Sequence, residues 1–151
     1  MIKIIAIGKK HESWIVDGIE RYSKRLQGSW KLEWVLLPHS ALEGPAARQE
    51  ESQRILQKLD ERDRVVLLDE TGSLWDSPAL SRQIQDQLDV STQLVLVIGG
   101  AYGVNEALQR RANQTWSLSR LVFPHQLVRL LVVEQLYRAS CIASGHPYHH
   151  Q

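Results

Sequence analysis

The residues of this chain that could do chemistry fall in three places. Leu94–Ile98 runs straight into Gly99-Gly100-Ala101-Tyr102-Gly103. Five apolar residues in succession predict a buried strand. A glycine turn at its end lets a backbone approach something closely. The spacing is GGAYG rather than GxGxxG and no Walker lysine follows, so a phosphate cradle is not indicated. A plain tight turn fits the same residues. Leu68-Asp69-Glu70, at the end of another apolar run, offers acids that could take ribose hydroxyls or simply shape a turn.

The second place is Ser117-Leu118-Ser119-Arg120-Leu121-Val122-Phe123-Pro124-His125, an extended and largely apolar segment closed by a proline. Its main chain could pair with a base edge as a strand partner would, or it could be an edge strand with its stop. The third place is the C-terminal end. Glu134 and Arg138 stand four residues apart on a helix, where a simple ion pair is worth only about 0.2–0.5 kcal/mol. Arg129 has no partner at that spacing, which makes it the better candidate for an external anion. His146, His149 and His150 follow in GHPYHHQ. They match no zinc spacing, and Cys141 is the sole cysteine. The tail reads either as a loose terminus or as stacking and hydrogen-bonding groups for RNA.

Alternating elements must position these residues. Strands are expected at Ile2 to Ile7, Lys31 to Leu37, Arg64 to Asp69, Gln93 to Ile98 and Trp116 to Phe123. Helices are expected between them. One carries Ile15, Ile19, Tyr22 and Leu26 as a stripe, and one spans Pro45 to Leu59. A third starts with Ser77 as N-cap and Pro78 at the first helical position. A short fourth is capped by Asn105, and the last runs from Gln126 to Ser144 and stops at Gly145. Glu70-Thr71-Gly72 is expected to close the third strand. This order predicts an α/β fold, a mostly parallel sheet with flanking helices, in a single domain over residues 1–151. The last helix is apolar nearly all round. Either its own chain wraps it, or one face meets a second copy across a two-fold axis.

Bulk properties narrow the function. With 18 basic and 17 acidic residues the net charge is +1, which argues against gripping free nucleic acid by bulk charge. One cysteine precludes an intrachain disulfide and fits a reducing compartment. No apolar run approaches the ~20 residues of a membrane span. The start MIKIIAIGKK is too short for a signal peptide and reads as a strand, so a cytoplasmic location and no membrane partner are expected.

Taken together, VLVIGGAYG, WSLSRLVFPHQLVRLLVVEQLYRA and HPYHH, with IIAIGK and LLDETG, resemble the RlmH-type pseudouridine N3-methyltransferases of the large ribosomal subunit. These belong to the SPOUT, or α/β-knot, methyltransferases. The resemblance spans essentially the whole chain and is thinnest over 38–62. It implies a C-terminal trefoil α/β knot, S-adenosyl-L-methionine as methyl donor, and no metal. It places the donor among Leu68, Gly99, Gly100, Leu118, Ser119, Arg120, Leu121, Val122 and Phe123. It implies a homodimer through the last helices, acting on large-subunit ribosomal RNA in the assembled ribosome. Glu134 and the tail's His149 are the proton-accepting candidates. His125, Arg129 and Arg138 would position RNA, and Tyr148 would stack. Tyr102 is expected to face outward over the donor pocket. The rival readings are a non-catalytic ribosome-associated factor of the same fold, a SPOUT enzyme acting on transfer RNA, and a flavodoxin-like nucleotide binder.

Overall fold

The computed structural model describes residues 1–90 and 92–150. Five strands form one parallel sheet: β1 (Ile2–Ile7), β2 (Leu32–Leu37), β3 (Arg64–Leu74), β4 (Leu94–Ile98) and β5 (Gln114–Ser117), in spatial order β2-β1-β4-β3-β5. The helices are α1 (Ser13–Ser23), α2 (Gly44–Leu56), α3 (Ser77–Leu88), α4 (Glu106–Arg111) and α5 (His125–Ser144).

The continuous apolar runs have a simple cause. Successive side chains of a strand point to opposite faces, and here both faces are covered. Ile4, Val66, Leu96 and Trp116 meet α3 and α5 through Leu80, Ile84, Val132 and Leu136. Ile5, Val65, Leu67, Val95 and Val97 meet α2 and α4 through Ile55 and Leu108. Helix α5 lies between α1 and α3 on the first face. Gly18 allows the close approach of α1, since a Cβ there would stand 2.7 Å from Leu130 Cδ1. No helix among the described residues is long and apolar enough to cross a membrane.

Several boundaries differ from expectation. The third strand does not end at Glu70-Thr71-Gly72. It bulges between Leu68 and Ser73 and resumes pairing as Ser73 with Trp116 and Leu74 with Ser117. Asp76, not Ser77, caps α3, accepting from the Ala79 N–H at 2.8 Å; a carboxylate reaches the free amides at least as well as a hydroxyl. Strand β5 starts earlier and stops at Ser117, so 118–123 is irregular. Asn105 caps α4 and Gly145 ends α5 with φ +78°, as the sequence implies.

The apolar circumference of α5 is largely explained within one chain. Val132, Val133, Leu136 and Ala139 are fully buried. Among its half-buried residues are Leu127, Leu131, Glu134, Arg138 and Ile142, which by helical spacing form one outward row.

Candidate functional site

The carboxyl ends of β3, β4 and β5 surround a cavity of about 360 Å³. That is where open parallel sheets bind ligands, and the volume suits a small molecule. Leu68 enters from β3, Gly99 and Gly100 from the turn after β4, and Leu118, Ser119, Leu121, Val122 and Phe123 from the segment after β5. Eight of the nine residues expected around the donor therefore share one wall system. Arg120 is not among the lining residues; its guanidinium donates to the Glu70 carbonyl. The turn that orients this segment is local. Ser117 Oγ donates to the Ser119 carbonyl at 2.8 Å, and Ser119 Oγ accepts from the Leu121 N–H at 3.0 Å. Leu121 and Val122 remain 69% and 76% exposed, leaving apolar side chains uncovered at the rim.

The charged residues of the lining are the acidic Asp69 and Glu70, with Asp69 Oδ1 accepting from the Thr71 N–H at 3.1 Å in its own turn, and among the described residues no lysine or arginine lines the cavity. His125 is the remaining titratable lining residue. Burial, then the Arg129 guanidinium and His39, hold its imidazole below the ordinary value, partly opposed by Glu12 and Glu51. Such a site suits a cation or a neutral heterocycle and disfavours a phosphate.

The glycines of the loop have separate reasons. Gly103 has φ +75°, and its N–H donates to the Gly100 carbonyl at 3.1 Å. Gly100 has no such φ. A Cβ there would stand 2.5 Å from Glu51 Oε1 and 3.2 Å from Ile7 Cγ2, so crowding demands the glycine. Tyr102 is 44% exposed but does not line the cavity, contrary to the expected position over it.

Arg129 requires a correction. It is fully buried. Its guanidinium donates to the carbonyls of Ile7 at 2.8 Å, Gly8 at 3.1 Å and Lys10 at 3.1 Å, and lies 3.2 Å from His11 Nδ1. It is a staple for the turn after β1 and offers no open face to an external anion. Its partners lie 118 to 122 residues away, beyond the reach of a helical-spacing argument. The signal that could have found it is Gly8, whose φ is +118° and whose absent Cβ would stand 2.8 Å from the guanidinium.

The remaining expected residues form a second group. Arg138 Nε donates to Glu134 at 3.2 and 3.3 Å, and Arg138 Nη1 lies 3.1 Å from His149 Nδ1. The Tyr148 ring packs under the Arg138 guanidinium at 4.8 Å and against Tyr137 at 4.7 Å. Burial, then the Tyr22 hydroxyl and the Glu134 charge, push the Tyr148 phenol up to about 12, so it stays protonated. None of these four residues lines the cavity. Glu134 sits nine positions beyond His125, about 13 Å along the helix. Among the described residues no cluster of three or more His, Cys, Asp or Glu side chains could hold a metal ion.

Glu51 escaped the sequence reading altogether. It lies in the charged helix α2 yet is 3% exposed. A helix dense in charge gives no sequence cue for which carboxylate turns inward.

A family model described as "Predicted SPOUT methyltransferase" matches residues 1–149. Three curated relatives bear the name "Ribosomal RNA large subunit methyltransferase H". The one from Geotalea daltonii is 42% identical, over 99% of this chain and 99% of its own length. The one from Hahella chejuensis is 40% identical over 99% of each. The one from Alkalilimnicola ehrlichii is 40% identical over 98% of this chain and 97% of its own.

Proposed function

The chain belongs to the SPOUT methyltransferase family, and on that premise we propose that it uses S-adenosyl-L-methionine to methylate N3 of a pseudouridine in large-subunit ribosomal RNA of the assembled ribosome. The observation that carries this reading is the cavity. The segments expected to hold the donor converge there, and the lining has two acidic residues and no lysine or arginine. Two acidic residues in the lining oppose a phosphate ligand there.

The residues present fit the donor. Leu68, Leu118 and Phe123 supply apolar walls for a purine, main-chain groups of 99–103 and 118–123 supply edge contacts, and Asp69 and Glu70 suit hydroxyls and positive charge. Bound there, the donor supplies an electrophilic methyl on a sulfonium. The protein's task is to hold N3 in line with it; well-oriented pairs gain roughly 7–11 kcal/mol from proximity alone. N3 must also lose its proton. In this reading His125, kept neutral at the cavity wall, hydrogen-bonds the base.

Glu134, Arg138, Tyr148 and His149 form the RNA-facing group of this reading. Within one chain His149 Nδ1 and the Glu134 carboxylate both face Arg138. They serve as proton acceptors only when a neighbouring chain brings them to its partner's cavity. The reading therefore includes a homodimer seated on the outward row of α5 and the exposed Leu121 and Val122, together with the C-terminal trefoil knot of the family.

Two measurements test the proposal. Calorimetric titration with S-adenosyl-L-methionine should show binding. Mass-spectrometric mapping of large-subunit RNA from a strain lacking this protein should show loss of one methyl group at a pseudouridine. Binding with an unchanged modification map would leave a non-catalytic ribosome-associated factor. A methyl mark lost from transfer RNA instead would reassign the substrate.

A further inference from the structure

We propose that Glu51 is a positioning residue whose buried carboxylate, set behind Gly100 of the cavity loop, makes the site prefer a sulfonium ligand over its uncharged thioether counterpart. The inference rests on the donor reading above and goes beyond it in assigning charge discrimination to a residue outside the lining.

Glu51 Oε2 accepts from the Ser40 N–H at 2.9 Å and stands 3.9 Å from His39 Nδ1. Oε1 is buried and has no hydrogen-bond partner among the described residues. It lies against the side of Gly100 where a Cβ would stand, 2.5 Å away, and Gly100 lines the cavity. The next residue, Ser52, accepts from the Asn105 N–H at 2.9 Å through its Oγ, so the same turn of α2 is tied to the chain just past the loop's end. The glycine leaves no side chain between the carboxylate and the loop's main chain.

An orphaned carboxylate oxygen in a buried setting is costly unless something repays it. Interactions between charges are strong where water is excluded. Burial, Arg129 and His39 push the His125 imidazole down, and Glu51 opposes them, so its charge is felt at the cavity wall. The lining adds Asp69 and Glu70, and no lysine or arginine is among its residues. S-adenosyl-L-methionine and S-adenosyl-L-homocysteine differ at sulfur by one methyl and one positive charge, and share the remaining groups. A carboxylate acting by its field therefore holds the first more tightly and favours release of the second.

The test is calorimetric titration of the full chain and its Glu51→Gln variant with both ligands. The expected result is a fall of about tenfold in the preference for the sulfonium ligand, with thioether affinity within about twofold. An equal loss for both ligands would make Glu51 a purely structural support and overturn the inference, as would an unchanged preference. If Glu51→Gln shows no cooperative unfolding, Glu51→Asp withdraws the charge by one methylene. Selective weakening of the sulfonium ligand then supports the inference, and any non-selective result overturns it. A wild-type chain that binds neither ligand refutes the donor reading itself. A wild-type chain that binds both, with no change of preference in the variants, refutes only the role of Glu51.

Discussion

Arg129, in the first half of the last helix, donates to the main-chain carbonyls of Ile7 at 2.8 Å and Gly8 at 3.1 Å at the end of the first strand. This contact ties the last helix to the end of the first strand, 121 and 122 residues away in the chain. Arg129→Met should leave the carbonyls of Ile7, Gly8 and Lys10 without this donor and cost about 2–4 kcal/mol in urea unfolding. Arg129→Lys should recover little, because an ammonium cannot reproduce the planar fork. Equal midpoints for wild type and Arg129→Met would refute the staple.

Gly100→Val should abolish binding of S-adenosyl-L-methionine. The cause is collision with Glu51 and Ile7, since the new Cβ would stand 2.5 Å from Oε1. Gly103→Ala should instead cost about 1 kcal/mol through its φ of +75°. Wild-type calorimetric affinity in Gly100→Val would remove the loop from the donor site.

Deletion of 146–151 should leave donor affinity near normal and abolish methylation of ribosomes. Tyr148 and His149 pack on Tyr137 and Arg138, outside the cavity. Retained methylation would remove the tail from the reaction.

Dimerisation is best tested on the outward row of α5. Leu127→Lys with Ile142→Lys should convert a dimer into a folded monomer in sedimentation. Lysine at Val133 would be uninformative, because Val133 is fully buried against Ile15 and Ile19 of its own chain. A dimer unaffected by the double substitution, or a wild-type monomer, would refute the assigned interface.

His11 and His125 are both held below the ordinary value of 6.5, first by burial and then by Arg129. The unfolded chain thus binds more protons than the folded one. Their contribution to stability is fully present above pH 6.5 and is lost as pH falls through the lower folded values. Thermal unfolding from pH 8 to pH 5 should show this decline, and His125→Asn should flatten part of it. Identical slopes would remove His125 as a cause.

Much of the fold is legible because its signals are local. Residues 94–98 and 65–68 are unbroken apolar runs whose burial on two faces shows in composition alone, and Asn105 and Gly145 mark helix ends through bonds within one turn. The bulge after Leu68 and the early stop of β5 are not legible, because pairing between β3 and β5 decides them.

The same division runs through the site. By itself the sequence determined the alternation of strands and helices, the glycine loop at a strand's end, and the short motifs that point to the family. These are properties of neighbours along the chain, where hydrophobic period and turn chemistry act. Only the tertiary structure decided that Arg129 faces inward, that α5 is flanked by α1 and α3, and that Glu51 stands against Gly100. An arginine or glutamate has the same local preferences buried or exposed. Its direction is set by partners far along the chain, such as the carbonyls of Ile7 and Gly8, which become neighbours only when the sheet has formed.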